Sequence, residues 1–343
     1  MLYRFVFLFS IAILYGFASF HYPREEESLM IVSYNVENLF DTINNPLTAD
    51  DEFTPQGTRH WTSYRYYRKL KMLWKVLAAT SLTDFPDIVG VYEVENRAVL
   101  SDLVSKTPLR LAHYSIFHRE SCDRRGIDVA ILYRDEKFLP IDSAAVRIVF
   151  DTDTSYHSRD IMYLKGVVKK SNDTLHIFAN HWPSRYGGWA ETEKLRCTAA
   201  KVLRRCVDSI LRNEPSAKIL CIGDFNDNPY NKSVTECLDA VTDLDSEISE
   251  ANIYNISYYL AGKKGLWTYW YGGKGDFLDQ VFVSGALLKE RGLHLSTSDV
   301  YPLSEKFLLN DNGTVYRTYL GPRYVGGYSD HLPVVIKMHY GIN

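Results

Sequence analysis

The sequence predicts an α/β (α+β) chain in which two packed β-sheets are covered by a few amphipathic helices. Short apolar, β-branched runs recur along it, each closed by polar residues, as strands of a sheet core require. Two segments break that rhythm with helical periodicity. Many strands with few helices between them bury best as two sheets packed face to face with helices outside. No Gly-, Ser- or Pro-rich linker and no long charge run divides residues 27–343, which are therefore expected to form one large domain.

Taken in order, residues 1–20 place one cation, Arg4, before an apolar run from Phe5 to Phe20 that ends among Gly16, Ala18 and Ser19. This is the pattern of a secretory signal peptide, with an uncleaved membrane anchor as the alternative. The expectation is a secreted or periplasmic, monomeric protein with no stable membrane insertion after cleavage. Strands are expected at "LMIVSYN", "DIVGVYE", "IDVAILYR", "AAVRIVF", "YLKGVVKK", "LHIFANH", "KILCIGDFN", "FLDQVFVS" and "LPVVIKM". Leu70, Leu73, Trp74 and Leu77 mark the first helix, and Ala199, Val202, Leu203, Cys206 and Ile210 the second. The basic stretch from Tyr64 to Lys75 is expected to be the solvated face of the first helix. Residues 240–275 and 302–327, rich in Tyr, Gly and Asn, read as long loops bordering a substrate site.

With 343 residues, 46% hydrophobic and 24% charged, the chain has material for a sizeable core, and its net charge of −3 gives no global case for nucleic-acid binding. The five cysteines show no CxxC pairing, so neither a zinc site nor a dense disulfide framework is expected. His113, His118 and His176 fall outside any motif and read as structural.

The informative pattern is positional, because metal-binding and proton-transferring residues recur at the ends of the apolar strands. Asn35 ends the first, Glu93 follows "VGVY", Asp128 opens "IDVAILYR" and His181 ends "HIFANH". Asp224 and Asn226 close "ILCIGDFN", Asp279 precedes "QVFVS", and Asp330 with His331 opens the last strand. If these ends converge, so many carboxylates need a cation, since each desolvated ion costs several kcal/mol. Oxygen donors without cysteine favour Mg²⁺, with Mn²⁺ or Ca²⁺ as alternatives, over zinc. Mg²⁺ with few protein ligands in turn points to a phosphate substrate.

These motifs, in this order, resemble those of the endonuclease/exonuclease/phosphatase superfamily: "SYNVENLF", "VGVYEVEN", "NHWPSR", "GDFNDNP", "LDQVFVS" and "SDHLPV". The resemblance spans nearly all of residues 29–340. It implies a four-layer α-β-β-α sandwich, two packed mainly antiparallel sheets flanked by helices. It further implies Glu93 as the main metal ligand, with Asn35 and Asp330, and His331 oriented by Asp279 as half of a proton-transfer dyad. Asp224 and Asn226 would hold or activate the attacking water. His181 would donate to a non-bridging phosphate oxygen or to the leaving group, with Asp128 as its acidic partner. The implied reaction is in-line hydrolysis of a phosphoester.

For substrate, Arg125 and Arg185 offer phosphate contacts and Trp182 a stacking surface. Glu95 stands where the deoxyribonuclease of the superfamily carries an arginine, which argues against an identical grip on DNA. The leading expectation is an exported Mg²⁺-dependent phosphodiesterase, a nuclease acting as an endonuclease. The alternatives are a phosphatase or phosphodiesterase on phospholipid headgroups or on sugar or inositol phosphates, and a non-catalytic binding domain.

Overall fold

The computed structural model describes residues 28–341 except 82 and 152–154. The N-terminal segment expected to direct export lies outside the described residues.

Strands are numbered in chain order. The first sheet has seven strands: β1 (Ser28–Leu39), β2 (Ile88–Val94), β3 (Tyr114–His118), β4 (Asp128–Arg134), β13 (Leu293–His294), β14 (Val300–Pro302) and β17 (Val334–Tyr340). They run in the order β13-β17-β1-β2-β4-β3, with β14 also on β17. The second sheet, ordered β5-β6-β7-β8-β12-β9, has six: β5 (Phe138–Val146), β6 (Ile161–Val168), β7 (Asp173–His181), β8 (Lys218–Asp224), β9 (Ile253–Asn255) and β12 (Asp279–Ser284). Two small hairpins, β10 (Tyr269–Tyr271) with β11 (Lys274–Asp276) and β15 (Tyr319–Leu320) with β16 (Arg323–Tyr324), project from the loops. Both sheets are mixed. β1 runs parallel to β2 and β7 parallel to β8, and the other pairings are antiparallel.

Strand alternation builds the layers. On β7, Leu175, Ile177 and Ala179 face the core between the sheets, where Ile31, Ile88, Ile131, Leu220, Ile222 and Val281 meet them. The intervening Phe178, with Ile219 and Cys221 of β8, faces α3 (Trp189–Asn213). Val32, Tyr34, Val89 and Val91 face the other way, onto α1 (Ser63–Ala78) and α2 (Arg97–Ser105). The stretch 240–275, expected to be a long loop, instead holds β9, β10 and a short α4 (Ile256–Lys263), which packs its Ile256 and Leu260 at the edge of the inter-sheet core. Three apolar clusters therefore separate four layers.

The first helix differs from its expected solvated character at one position. Lys69 is 2% exposed and donates to Thr318 Oγ1 and the Tyr328 carbonyl, each at 2.6 Å. Two cysteines also pair: a Cys197–Cys237 disulfide ties α3 to the short helical turn Ser233–Cys237.

Candidate active site

The same alternation selects which polar side chains meet. Asn35 has the parity of Leu29, Ile31 and Ser33; His181 that of Ile177 and Ala179; Asp224 that of Leu220 and Ile222; Asp279 that of Val281 and Val283. All four thus enter the space between the sheets at one end. Register completes the row, since His181 pairs with Asp224 across β7/β8 and Asp279 pairs with Asp224 across β12/β8.

Glu93 is the exception in parity, because it follows Val89 and Val91 on the outer face. A left-handed backbone at Glu93 (φ 65°) and a register shift between Tyr92 and Val94 turn its side chain back into the site. A non-glycine residue held there costs on the order of 1–3 kcal/mol and persists because its surroundings enforce it. Gly223 serves the same end by close approach: at φ 153°, a Cβ there would lie 2.1 Å from the Asn180 carbonyl oxygen.

Asp224 Oδ2 is the focus. It accepts from Asn35 Nδ2 at 2.9 Å, and His181 Nε2 and His331 Nε2 approach it at 3.6 and 3.7 Å. His331 Nδ1 donates to Asp279 Oδ2 at 2.7 Å, which leaves Nε2 as the atom turned to the cleft. The Tyr269 ring lies against that imidazole, 4.8 Å between centroids. Asn226, also left-handed (φ 52°), donates its backbone N–H to Asp224 Oδ1 and its amide to the Trp182 carbonyl, so its own Oδ1 faces outward. Glu93 Oε1 lies 3.9 Å from His181 Nε2, while Oε2 accepts from the Asn38 N–H.

Burial and charge set the protonation states in opposite senses for the two imidazoles. Burial alone would lower the pKa of His331, but the Asp279 and Asp224 carboxylates outweigh it and hold it well above the usual range. His181 is pushed well below by burial and then by the Arg159 and Arg125 guanidinium groups. Asp224 is raised by burial, an effect that the His331 charge opposes.

Three expected roles are corrected. Asp128 does not partner His181: its Oδ2 is 3.1 Å from His118 Nε2 and its Oδ1 accepts from the Ser121 N–H, because β4 delivers it beside the end of β3. His181 Nδ1 is buried and has no hydrogen-bond partner. Trp182 is not a stacking surface, being fully buried against Phe225 with its Nε1 donating to Asn180 Oδ1. Arg185 is committed internally, to the Asn226 carbonyl at 2.7 Å and Asp276 Oδ2 at 2.8 Å, and so braces the loop instead of waiting for a phosphate.

Arg125 does suit a ligand. Its side chain is 45% exposed, 3.8 Å from Asp123 Oδ1, and that carboxylate already pairs with buried Arg159 at 2.9 Å. It lines a cleft of about 370 Å³ with Asn38, Arg59, Tyr271, Arg317 and Asp330. Glu95, the expected departure at the substrate face, is buried, and it accepts from the Asp41 N–H at 2.6 Å.

Sequence reading missed Glu37, Lys69, Arg159, Tyr269 and Arg317. Arg159 donates to the carbonyl of Trp182, directly after His181. Tyr269 and Arg317 lie within the two segments read as site-bordering loops, and that was their only signal.

Asn35, Glu93 and Asp330 offer one amide and two carboxylates, a hard oxygen set that fits Mg²⁺, Mn²⁺ or Ca²⁺ completed by water. Glu93 and Asp330 keep side-chain exposures of 14% and 16%, so lone pairs remain to coordinate an ion. Among the described residues, His118, Glu120 and Asp128 also bring one donor atom each within 4.8 Å of one another, outside this set.

Residues 30–340 match the model of the Endonuclease/Exonuclease/phosphatase family. No curated protein sequence matches the chain. Among solved structures, a humanized TDP2 of D. rerio superposes with a TM-score of 0.58 at 15% identity, covering 91% of this chain and 99% of that one. The human nocturnin catalytic domain gives 0.54 at 18%, covering 91% and 94%. A mannosyl-6-phosphatase of Bacteroides thetaiotaomicron gives 0.56 at 17%, covering 91% and 100%. At such identities these likenesses establish the shared sandwich fold.

Proposed function

This chain belongs to the endonuclease/exonuclease/phosphatase family, and from that premise we propose that it is an exported, divalent-metal-dependent phosphoesterase that cleaves phosphodiester bonds, a nuclease in the first instance. The observation that carries the reading is the Asp279–His331 pair, 2.7 Å apart, facing Asp224 on one side and Asp330 on the other. A bound divalent cation supplies charge stabilisation at the phosphate and at the leaving oxygen, and Glu93, Asp330 and Asn35 would hold it.

The chain's own groups do the rest. Asp224 and the outward Oδ1 of Asn226 accept from the attacking water and orient it in line with the ester bond. His331, its Nδ1–H fixed by Asp279, moves a proton at Nε2. His181, kept neutral, donates from Nε2 to a non-bridging oxygen. Arg125 meets the substrate's negative charge at the cleft wall. TDP2 of D. rerio has been crystallised with a single-strand DNA product, which supports nucleic acid as the first substrate to test.

Export is supported by the apolar N-terminal pattern and by the Cys197–Cys237 bridge, which suits an oxidising compartment. Among the described residues no helix is long and apolar enough to cross a membrane. A second reading, a phosphatase on a small sugar phosphate, is favoured by the compact cleft and by the internal commitment of Trp182 and Arg185. Purified protein is assayed on plasmid, single-stranded DNA, RNA and hexose phosphates with Mg²⁺, Mn²⁺ or EDTA. Metal-dependent cleavage of a nucleic acid is expected. Phosphate release from a hexose phosphate, with every nucleic acid intact, replaces the nuclease by the phosphatase.

A further inference from the structure

We propose that Arg317 is a substrate-contacting residue of this site, gripping the phosphate beside Asp330, and that Glu37 and Lys69 are the positioning residues that aim it. The inference rests on the phosphoesterase reading and deepens it.

Arg317 belongs to the segment between β14 and β15, which neither sheet holds in place. Instead it is pinned by side chains. Glu37, 5% exposed, accepts from the Thr318 N–H at 2.6 Å and the Tyr319 N–H at 3.4 Å. Lys69 reaches from α1 to Thr318 Oγ1 and to the Tyr328 carbonyl, and so ties the segment to the stretch that leads into Asp330. Glu37 itself stands at φ 51°, two residues beyond Asn35, in a backbone conformation a non-glycine residue adopts only where its surroundings require it. A buried carboxylate and a buried ammonium are both costly to desolvate. Here they face each other across one loop. Burial raises the carboxyl's pKa and brings the ammonium's down to about 8, each opposed by the other's charge.

What this arrangement delivers is one guanidinium. Arg317 Nη2 donates to Asp330 Oδ2 at 2.8 Å, and its Nε lies 3.7 Å from Glu37 Oε1, beyond hydrogen-bond range. Nε is buried without a partner, and among the described residues Nη1 makes no hydrogen bond either. The side chain is 27% exposed and lines the cleft beside Asn38 and Arg125. A planar guanidinium, immobilised next to a metal-binding carboxylate by Nη2 and with Nη1 unspent at a cleft, matches the geometry of phosphate oxygens. A residue needed only to neutralise Asp330 and Glu37 would not need that reserve.

The test measures inorganic phosphate binding to the purified full chain by calorimetry at saturating Mn²⁺, and Mn²⁺ affinity by electron paramagnetic resonance. Arg317→Met is expected to raise the phosphate Kd at least about tenfold, with Mn²⁺ bound as well as before or more tightly, since a cation beside Asp330 has been removed. Arg317→Lys, which keeps the charge and loses the fork, is expected to fall between wild type and Arg317→Met. Glu37→Gln should weaken phosphate binding too, and should add nothing in the Arg317→Met background if it acts through Arg317. Unchanged phosphate affinity in both Arg317 variants overturns the proposal, as does weakened Mn²⁺ binding with phosphate unaffected, which would make Arg317 a support for Asp330. A wild type that binds no phosphate overturns it as well. Arg317-dependent phosphate binding in a protein that hydrolyses no ester upholds this inference while removing the proposed function.

Discussion

The two banks of the cleft are built to different standards. On one, Glu93 and Asp330 keep 14% and 16% of their side chains in solvent, and Glu93 takes one backbone hydrogen bond. On the other, Asp224, Asp279 and His331 are only 2%, 0% and 6% exposed and bonded to one another or to fixed partners. An exchangeable ion needs lone pairs that water can leave cheaply, whereas a proton-transfer pair gains from donors and acceptors that do not reorganise during reaction. The open bank is thus suited to a ligand that comes and goes, and the sealed bank to chemistry at fixed geometry.

The largest test of that division compares Glu93→Gln with Asp279→Asn. Both should lower kcat by about 10²–10⁴-fold. Titration of kcat against Mg²⁺ should show a raised half-saturation only in Glu93→Gln. A shifted metal requirement in Asp279→Asn would mean that the sealed bank also holds the ion.

Trp182 and Arg125 sharpen the contrast at the rim. Trp182→Ala should cost about 3–5 kcal/mol in urea denaturation, as a buried indole does. Arg125→Ala should change stability by less than about 0.5 kcal/mol and raise KM. If Trp182→Ala is as stable as wild type and loses substrate affinity, its ring belongs to the substrate after all.

The last test reads pH dependence and concerns Glu95, away from both banks. Burial raises its carboxyl pKa from 4.5 to about 8 in the folded chain. Between those values the folded state holds a proton that the unfolded state has released, so stability falls as pH rises through this window. Glu95→Gln, which can still accept from the Asp41 N–H, should flatten that dependence in melting curves at pH 5 and pH 8. An identical pH slope in the variant would show that other groups cause it.

Local pattern made much of this site legible. His181, Asp224 and Asp279 end or begin an apolar strand, Asn35 stands inside β1, which runs on past it to Leu39, and strand alternation places such residues on a predictable face. Glu93 followed the wrong parity and was still found, through its motif. Asp128 misled because its motif position indicated the cleft end of a strand but not the neighbour it would meet, and β3 supplied His118. Arg185 and Trp182 misled for a related reason. Charge and aromaticity suggest a ligand, yet Asp276, 91 residues away in sequence, and Phe225 of the next loop satisfy them inside the protein.

The sequence by itself determined most of the long strands, the helices α1 and α3, the family and the polar residues near the strand ends, because alternation and motif spacing are local properties of the chain; α2, α4, β3 and β9 were not read from it. Only the tertiary structure decided which of those residues face one another and which are spent on internal partners. It also brought in Arg317, Glu37 and Lys69, whose meeting depends on long-range contacts such as that between Lys69 and Thr318, 249 residues apart. No local pattern encodes such a contact, since it exists only once α1, β1 and the segment before β15 have packed together.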